Sequence, residues 1–297
     1  VAATVGVPVD EAGFGDRAYE YPAIAAMQEF FSMTPQDILD HSDTGRPWSV
    51  SPGEVAAGDL AQAYQAQLAL RELRCARGEL PRGFKIGFTN RSIWPRYNVF
   101  APIWGTVWNT GLVFCEGSGV VSLQNTCQPR IEPELVFGMR ATPAPDATLD
   151  ALFEAIDWIA PGFEIVQSHL PDWKFAASDA VADGGLHARL LVGRRVARDD
   201  LATGVVQLQS VLAGTRLVLR QAKKAVDRGT GANVLDNPLL ALQHFLRDMH
   251  QCPGAPDLMP GDVVTTGTWT DAWPVAAGES WTAEFSVPLS RLQVRFE

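Results

Sequence analysis

Disulfide and zinc chemistry have little to work with in this 297-residue chain, which holds only four cysteines. Cys75, Cys115, Cys127 and Cys252 are scattered, without Cys-x-x-Cys or zinc spacing, and read as reduced thiols. Positive charge is also scarce. With 24 Lys+Arg against 34 Asp+Glu the formal net charge is -10, which disfavours a nucleic-acid or anionic-membrane partner. No uninterrupted apolar run is long enough to span a bilayer, and no signal-peptide pattern opens the chain, so a cytoplasmic location is expected. Internal repeats, low-complexity segments and the regular strand–helix alternation of a doubly wound fold are missing too. What is present is 46% hydrophobic content, ample for one large domain or a domain with an appendage.

The pattern predicts a helical region over 1–78 and a mixed, mainly β domain over 79–297. A helix is expected from Pro22, with Ile24, Met27, Phe30 and Phe31 inward. Thr34-Pro35-Gln36-Asp37 offers a capping residue, a proline at the first helical position and a first-turn acid. Ser51-Pro52-Gly53-Glu54 reads as a capping box for a longer helix striped by Leu60, Tyr64 and Leu68, which stops at Gly78. Short β-rich runs follow at 84–88, 112–115, 119–123, 131–138, 163–167, 188–193, 205–209, 215–220, 262–266, 281–286 and 291–296. Two helices interrupt them, over 148–159 and from Asn237-Pro238 onward.

Arg130-Ile131-Glu132-Pro133-Glu134-Leu135-Val136-Phe137-Gly138 carries the clearest chemical signal. In a strand, Glu132 and Glu134 project from the same face. Adjacent like charges repel, more so in a dry site, and a hard divalent cation with oxygen ligands removes that penalty. Pro133 cannot donate to a ladder, which points to an edge or a bulge near a cleft. A bare Glu-x-Glu also fits a solvated strand with two exposed carboxylates. Glu164, within Pro161-Gly162-Phe163-Glu164-Ile165-Val166, is another acid in an apolar run, where lone acids are seldom left unpaired. Three carboxylates from two strands would make a Mg²⁺ or Mn²⁺ site.

The ordered set Lys85-Ile86-Gly87-Phe88-Thr89-Asn90, Glu132-x-Glu134, Pro161 to Val166 and Asp172-Trp173-Lys174 resembles the 2-keto-4-pentenoate hydratase and 4-oxalocrotonate decarboxylase group of the fumarylacetoacetate hydrolase superfamily. Gly229 to Pro238 is similar to the group's glycine-rich loop, and Gly261 to Thr270 to the superfamily's near-terminal strand. The resemblance runs from about residue 50 to the end. It implies an α+β fold, a mainly β mixed-sheet roll, holding Mg²⁺ or Mn²⁺ in a homo-oligomer built from dimers. It also implies a lyase of aromatic catabolism acting on a small 2-oxo or 2-hydroxydienoic acid, with no nucleic-acid or membrane partner. Glu132, Glu134 and Glu164 match the metal ligands, Lys85 a lysine near the reacting centre, and Thr268 a residue near the substrate. Lys174 is carried over as a further catalytic candidate.

These residue types suit the chemistry. A 2-oxo acid chelates a cation through its carboxylate and keto oxygens, and hydration or decarboxylation then develops a metal-bound enolate. A nearby ammonium such as Lys85 stabilises that charge, or exchanges a proton if burial depresses its pKa. The chain also departs from the group. Pro102-Ile103-Trp104-Gly105 stands where an acid is common, so Ile103 and Trp104 are expected to contact substrate without moving a proton. Gln167-Ser168-His169 replaces Asp-Ser-Arg. His187 and His169 are candidates for the missing acid/base; His169 reads as structural, and His187 is retained as catalytic. The aromatics Trp94, Tyr97, Trp104 and Trp108 fit either a pocket for a larger substrate or ordinary packing. The alternatives are a C–C hydrolase or tautomerase of a bulkier diketo acid, and a non-catalytic partner subunit that keeps the fold.

Overall fold

The structure, a computed structural model, describes residues 32–297 apart from Ala57, Ser92, Ile93 and Asn98, and apart from the side chains of Arg96 and Tyr97. The helix expected from Pro22 lies outside the described residues. Helices α1 (Pro35–Thr44) and α2 (Leu60–Ala76) precede strand β1 (Pro81–Gly87). Helix α3 (Trp94–Tyr97) and strands β2 (Ile103–Trp108), β3 (Leu112–Phe114) and β4 (Ser118–Val121) come next. Strand β5 (Arg130–Met139), helix α4 (Leu149–Ala155) and strand β6 (Ile156–Val166) form the centre. They are followed by α5 (Ala177–Ala182), β7 (His187–Val192), β8 (Val196–Ala197), α6 (Arg198–Leu201) and α7 (Val205–Gly214). Strands β9 (Arg216–Gln221) and β10 (Lys224–Thr230), helix α8 (Pro238–Gln251) and strands β11 (Val263–Thr265), β12 (Trp273–Pro274), β13 (Ser280–Phe285) and β14 (Leu292–Phe296) complete the chain.

One mixed sheet of nine strands runs β2-β1-β11-β5-β6-β7-β3, with β12 also on β5 and β8 on β6. A second sheet of five strands runs β10-β9-β13-β14-β4. With helices packed around these sheets, this is the α+β mixed-sheet fold expected. The period of two in β5 sets its faces. Ile131, Leu135 and Phe137 enter the main core, whereas Val136 joins a smaller cluster with Ala160 and Leu190 on the other face. Glu132 and Glu134 share the Val136 face. The main core is closed by α8, where Asn237 accepts the Leu239 amide and Pro238 opens the first turn. Leu239, Leu242, Phe245, Leu246 and Met249 form its buried stripe, each contributing roughly 1.5–3 kcal/mol by burial. Among the described residues, no helix is long and apolar enough to cross a membrane.

Several local expectations change. Thr34 and Asp37 do form a reciprocal capping box on α1. The Ser51–Glu54 box closes only a turn: the Ser51 amide donates to Glu54 Oε2 at 2.9 Å, and Asp59 caps α2 instead. Of the expected stripe, Leu60 is exposed while Tyr64 and Leu68 are half-buried against the main core, and Ala63, Ala66, Gln67 and Leu70 are fully buried beside them. Residues 205–209 lie in helix α7, because Leu208 and Leu212 are buried at a spacing of four while Val206 stays exposed. The helix over 148–159 ends at Ala155, and Ile156 already begins β6.

Candidate metal centre

Register brings the acids together. Glu132 of β5 lies directly opposite Glu164 of β6, and Glu134 is opposite Gly162. Directly paired residues share a face, so the two strands aim all three carboxylates into one place. Their nearest oxygens lie within 4.8 Å of one another. Glu134 and Glu164 are fully buried, and Glu132 is half-buried. Glu134 Oε1 and Glu164 Oε2 have no hydrogen-bond partner. Unpartnered buried carboxylate oxygens are costly, and a set of oxygen donors without Cys or His fits a hard divalent cation.

The surrounding charges follow from this arrangement. Burial together with the Glu164 charge pushes Glu132 up to about 7. Burial, with Glu164 and Glu132, also raises Glu134 well above the usual carboxylate range. Glu164 goes the other way: burial opposes its charge, but the Lys85 ammonium and the His187 hydrogen bond outweigh burial and lower it. The Gly267 amide donates to Glu134 Oε2 at 2.7 Å, fixing that carboxylate. Gly267 has φ 101°, and a Cβ there would sit 1.8 Å from Thr89 Oγ1, so only glycine fits this approach.

Lys85 of β1 is buried, donates to the Gly185 carbonyl at 2.7 Å and lies 3.5 Å from Glu164 Oε1. The Gly184–Gly185 turn reaches it because position 105 is glycine; a Cβ there would meet the Gly184 carbonyl at 2.1 Å. Burial works against the Lys85 charge, but the three glutamates outweigh it and raise its pKa. The condition set for proton exchange by Lys85, a pKa depressed by burial, is therefore not met in the metal-free site.

A cavity of about 170 Å³ stands over this floor, lined by Lys85, Ile103, Arg130, Glu132, Thr268 and an aromatic wall. The structure therefore brings Lys85, Glu132, Thr268 and Ile103 to one cavity, above Glu134 and Glu164. Three other candidates do not reach it. Trp104 pairs with Ile86 on the opposite face of β2 from Ile103 and packs on Tyr64 with ring centroids 4.7 Å apart. Strand alternation allows only one of the two neighbours to face the cavity. Lys174 is exposed and pairs loosely with Asp172 at 3.6 Å. Asp172 and Trp173 both have φ 57°, and this left-handed pair turns Trp173 inward, leaving Lys174 outside. A register shift between Ile165 and Val166 places His187 opposite Val166, and its Nδ1–H donates to Glu164 Oε1 at 2.7 Å. His187 lines a separate cavity beside Arg74 and Arg189. It holds the Glu164 carboxylate and is not among the residues lining the Lys85 cavity; burial lowers its pKa despite Glu164. His169 is buried against Asp183 at 2.7 Å and stacks on Trp48.

The residues that sequence reasoning passed over are Arg130, the Gly185 carbonyl, the Gly267 amide and the wall of Phe88, Trp173 and Phe175. Of the expected aromatics, Trp94 donates to the Phe88 carbonyl at 2.8 Å, and Trp108 lies under the Arg74 guanidinium. The Tyr97 side chain is outside the described residues.

Comparison with known proteins matches this picture. No family model matches the chain. It is 30% identical over 226 residues to 2-hydroxyhexa-2,4-dienoate hydratase of Comamonas testosteroni, covering 74% of this chain and 80% of that one. It is 30% identical over 228 residues to 2-keto-4-pentenoate hydratase of Burkholderia vietnamiensis strain G4, covering 76% and 82%. Among solved structures, 4-oxalocrotonate decarboxylase from Pseudomonas putida G7, complexed with magnesium and adipate, has a TM-score of 0.79 at 23% identity. That match covers 94% of this chain and 100% of the other. Fumarylpyruvate hydrolase from Pseudomonas aeruginosa, in complex with Mn²⁺ and pyruvate, shares the fold at a TM-score of 0.54 and 14% identity, covering 73% and 89%. The chain belongs to the 2-keto-4-pentenoate hydratase and 4-oxalocrotonate decarboxylase group. The matched relatives of this group are hydratases and decarboxylases, both lyases.

Proposed function

We propose that the protein is a Mg²⁺- or Mn²⁺-dependent lyase acting on a small 2-oxo or 2-hydroxydienoic acid. The observation that carries this reading is the convergence of Glu132, Glu134 and Glu164 beside the Lys85 ammonium at the floor of one cavity. Those three carboxylates would hold the ion. When bound, it supplies Lewis-acid polarisation of a keto oxygen. Lys85, held by Gly185 and Glu164, presents a fixed positive charge where an enolate develops and delivers a proton to the reacting carbon. Glu134 is kept in place by the Gly267 amide, and Glu164 by His187. Ile103 keeps the wall near Lys85 apolar and dry.

Two lyase reactions fit this floor, decarboxylation and hydration. Loss of CO₂ needs a sink for the electron pair and one proton donor, and Lys85 meets the second need. Hydration also needs a base on the attacking water. Among the described residues lining the cavity, the titratable side chains are Lys85, Arg130, Glu132 and Asp271, and only Asp271, exposed at the mouth, is free of the floor for that role. Hydration through Asp271 is the reading for a substrate without a second carboxylate. The position of His187 behind Glu164 weighs against the hydrolase reading that required it at the substrate. A homo-oligomer built from dimers belongs to this proposal, supported by Val113 and Phe114 exposed on strand β3; light scattering checks it.

The test follows dienol absorbance and CO₂ release in parallel, with Mg²⁺ or Mn²⁺ supplied to the purified protein. CO₂ release from an oxalocrotonate-like acid supports decarboxylation. Dienol loss without CO₂ supports hydration, and turnover of neither contradicts the lyase reading.

A further inference from the structure

We infer that the outer half of the cavity is a subsite for an aryl arm on the 2-oxo acid, which the proposed metal-dependent reading leaves unspecified and on which this inference rests. The cavity has two unlike ends. Its floor is buried and ionic, with Lys85 over the three glutamates. Its mouth has an aromatic wall beside a polar rim: the rings of Phe88 and Phe175 stack at 6.4 Å with planes 23° apart, and Phe175 meets Trp173 at 6.1 Å. Phe88 and Phe175 are half-buried, so the wall lies between the sealed floor and the exposed rim at Asp271.

The chain holds this wall in a form it does not adopt by default. Phe88 and Trp173 have φ 56° and 57°, a left-handed backbone that bulky side chains avoid. Dedicated contacts keep them there. The Trp94 indole donates to the Phe88 carbonyl at 2.8 Å, and the Trp173 indole donates to the Gln128 carbonyl at 3.0 Å. The Gln128 side chain ties down the same segment, donating to the Ser168 and Leu170 carbonyls at 2.8 Å and accepting the Asp172 amide at 2.9 Å. Strained aromatics over-determined by their surroundings, and meeting in one cavity, point to ligand contact.

Lys85 and Arg130 both line the cavity, so aromatic stacking rather than charge marks the arm as aryl. Lys85 is engaged by Glu164 and Gly185 at the inner end. Arg130 lies over the Trp173 ring with its Cζ 4.2 Å from the centroid, and Asp271 at the rim repels an anionic tail. A flat, uncharged ring extends the aromatic stack instead.

Calorimetry on the Mn²⁺-loaded protein with oxalate, pyruvate, 2-oxoadipate and (E)-4-phenyl-2-oxobut-3-enoate tests this. The phenyl probe should bind at least about tenfold more tightly than pyruvate and 2-oxoadipate. Phe175→Leu and, independently, Phe88→Leu should each remove most of that preference while changing oxalate affinity by less than about twofold. Quenching of indole fluorescence by the phenyl probe should be reduced in Trp173→Phe. Oxalate binding with no phenyl preference overturns the aryl subsite alone, as does 2-oxoadipate binding more tightly than the phenyl acid. Equal losses for oxalate and phenyl probe in both leucine variants also overturn it, since the rings would then only support the fold. Failure of oxalate itself to bind overturns the metal reading, and the subsite with it.

Discussion

The floor and the mouth of the cavity are built in opposite ways. The floor sits on β1, β5 and β6, where strand pairing sets which side chains meet and every acid has a neighbour that sets its charge. The mouth sits on loops, where left-handed residues and side-chain clamps hold the rings. A rigid sheet suits groups that must meet one ion. Loops can change the arm they accept without disturbing it.

Substitutions at the two ends should therefore fail differently. The largest effect is expected for Glu134→Gln, which should abolish metal stoichiometry and turnover while leaving the melting temperature of the metal-free protein equal or higher. Glutamine resembles the protonated form that burial already favours at Glu134. Elemental analysis and thermal unfolding check this; a metal content equal to the parent's would remove Glu134 from the ligand set. Lys85→Ala should keep the metal and lower kcat by about 10²–10³, the scale expected for one electrostatic stabiliser. A near-normal kcat would reject the role given to Lys85.

The floor was largely legible because its signals are local. Glu-x-Glu in a strand needs only the alternation of side chains, and the Asn237-Pro238 start of α8 needs only cap chemistry. Pairing of Glu132 with Glu164 is non-local, and the ordered resemblance supplied what spacing alone could not. The mouth was not legible. Which of Ile103 and Trp104 faces the cavity depends on the β1–β2 register, and Trp173 displaces Lys174 only because two consecutive residues are left-handed. Nothing in Asp-Trp-Lys announces that. The same limit explains Ser51–Glu54, where the box forms but the chain turns before α2 begins.

Acidity gives a third contrast, confined to the floor. With its pKa raised to about 7, Glu132 favours the metal-free fold while protonated and loses that contribution as pH rises from its ordinary 4.5 through about 7. The loss approaches about 3 kcal/mol for this group alone. Glu164, lowered, acts only below its ordinary range and in the opposite sense. Glu132's contribution to the metal-free fold should therefore fall between pH 4.5 and 7, opposed near 6.5 by His187, whose lowered pKa adds stability as pH rises, while apparent metal affinity rises over the same interval. Denaturant melts and Mn²⁺ titrations at each pH check both slopes; a flat affinity profile would contradict the protonated floor.

At the mouth, Gln128→Ala should free the 168–173 segment and raise KM several-fold with metal affinity unchanged, since its three side-chain hydrogen bonds hold the loop that carries Trp173. Equal damage to metal binding would erase the division between floor and mouth. Lys174→Ala is the smallest change. Its exposed pairing with Asp172 predicts kinetics within about twofold of the parent, and a large fall in kcat would restore it to the reacting site.

The most direct measurement is anomalous diffraction at the manganese edge from crystals grown with Mn²⁺ and oxalate. A single peak bounded by Glu132, Glu134 and Glu164, with oxalate reaching toward Lys85, is the predicted result. Manganese bound elsewhere, or the three carboxylates turned away from a common centre, would contradict it.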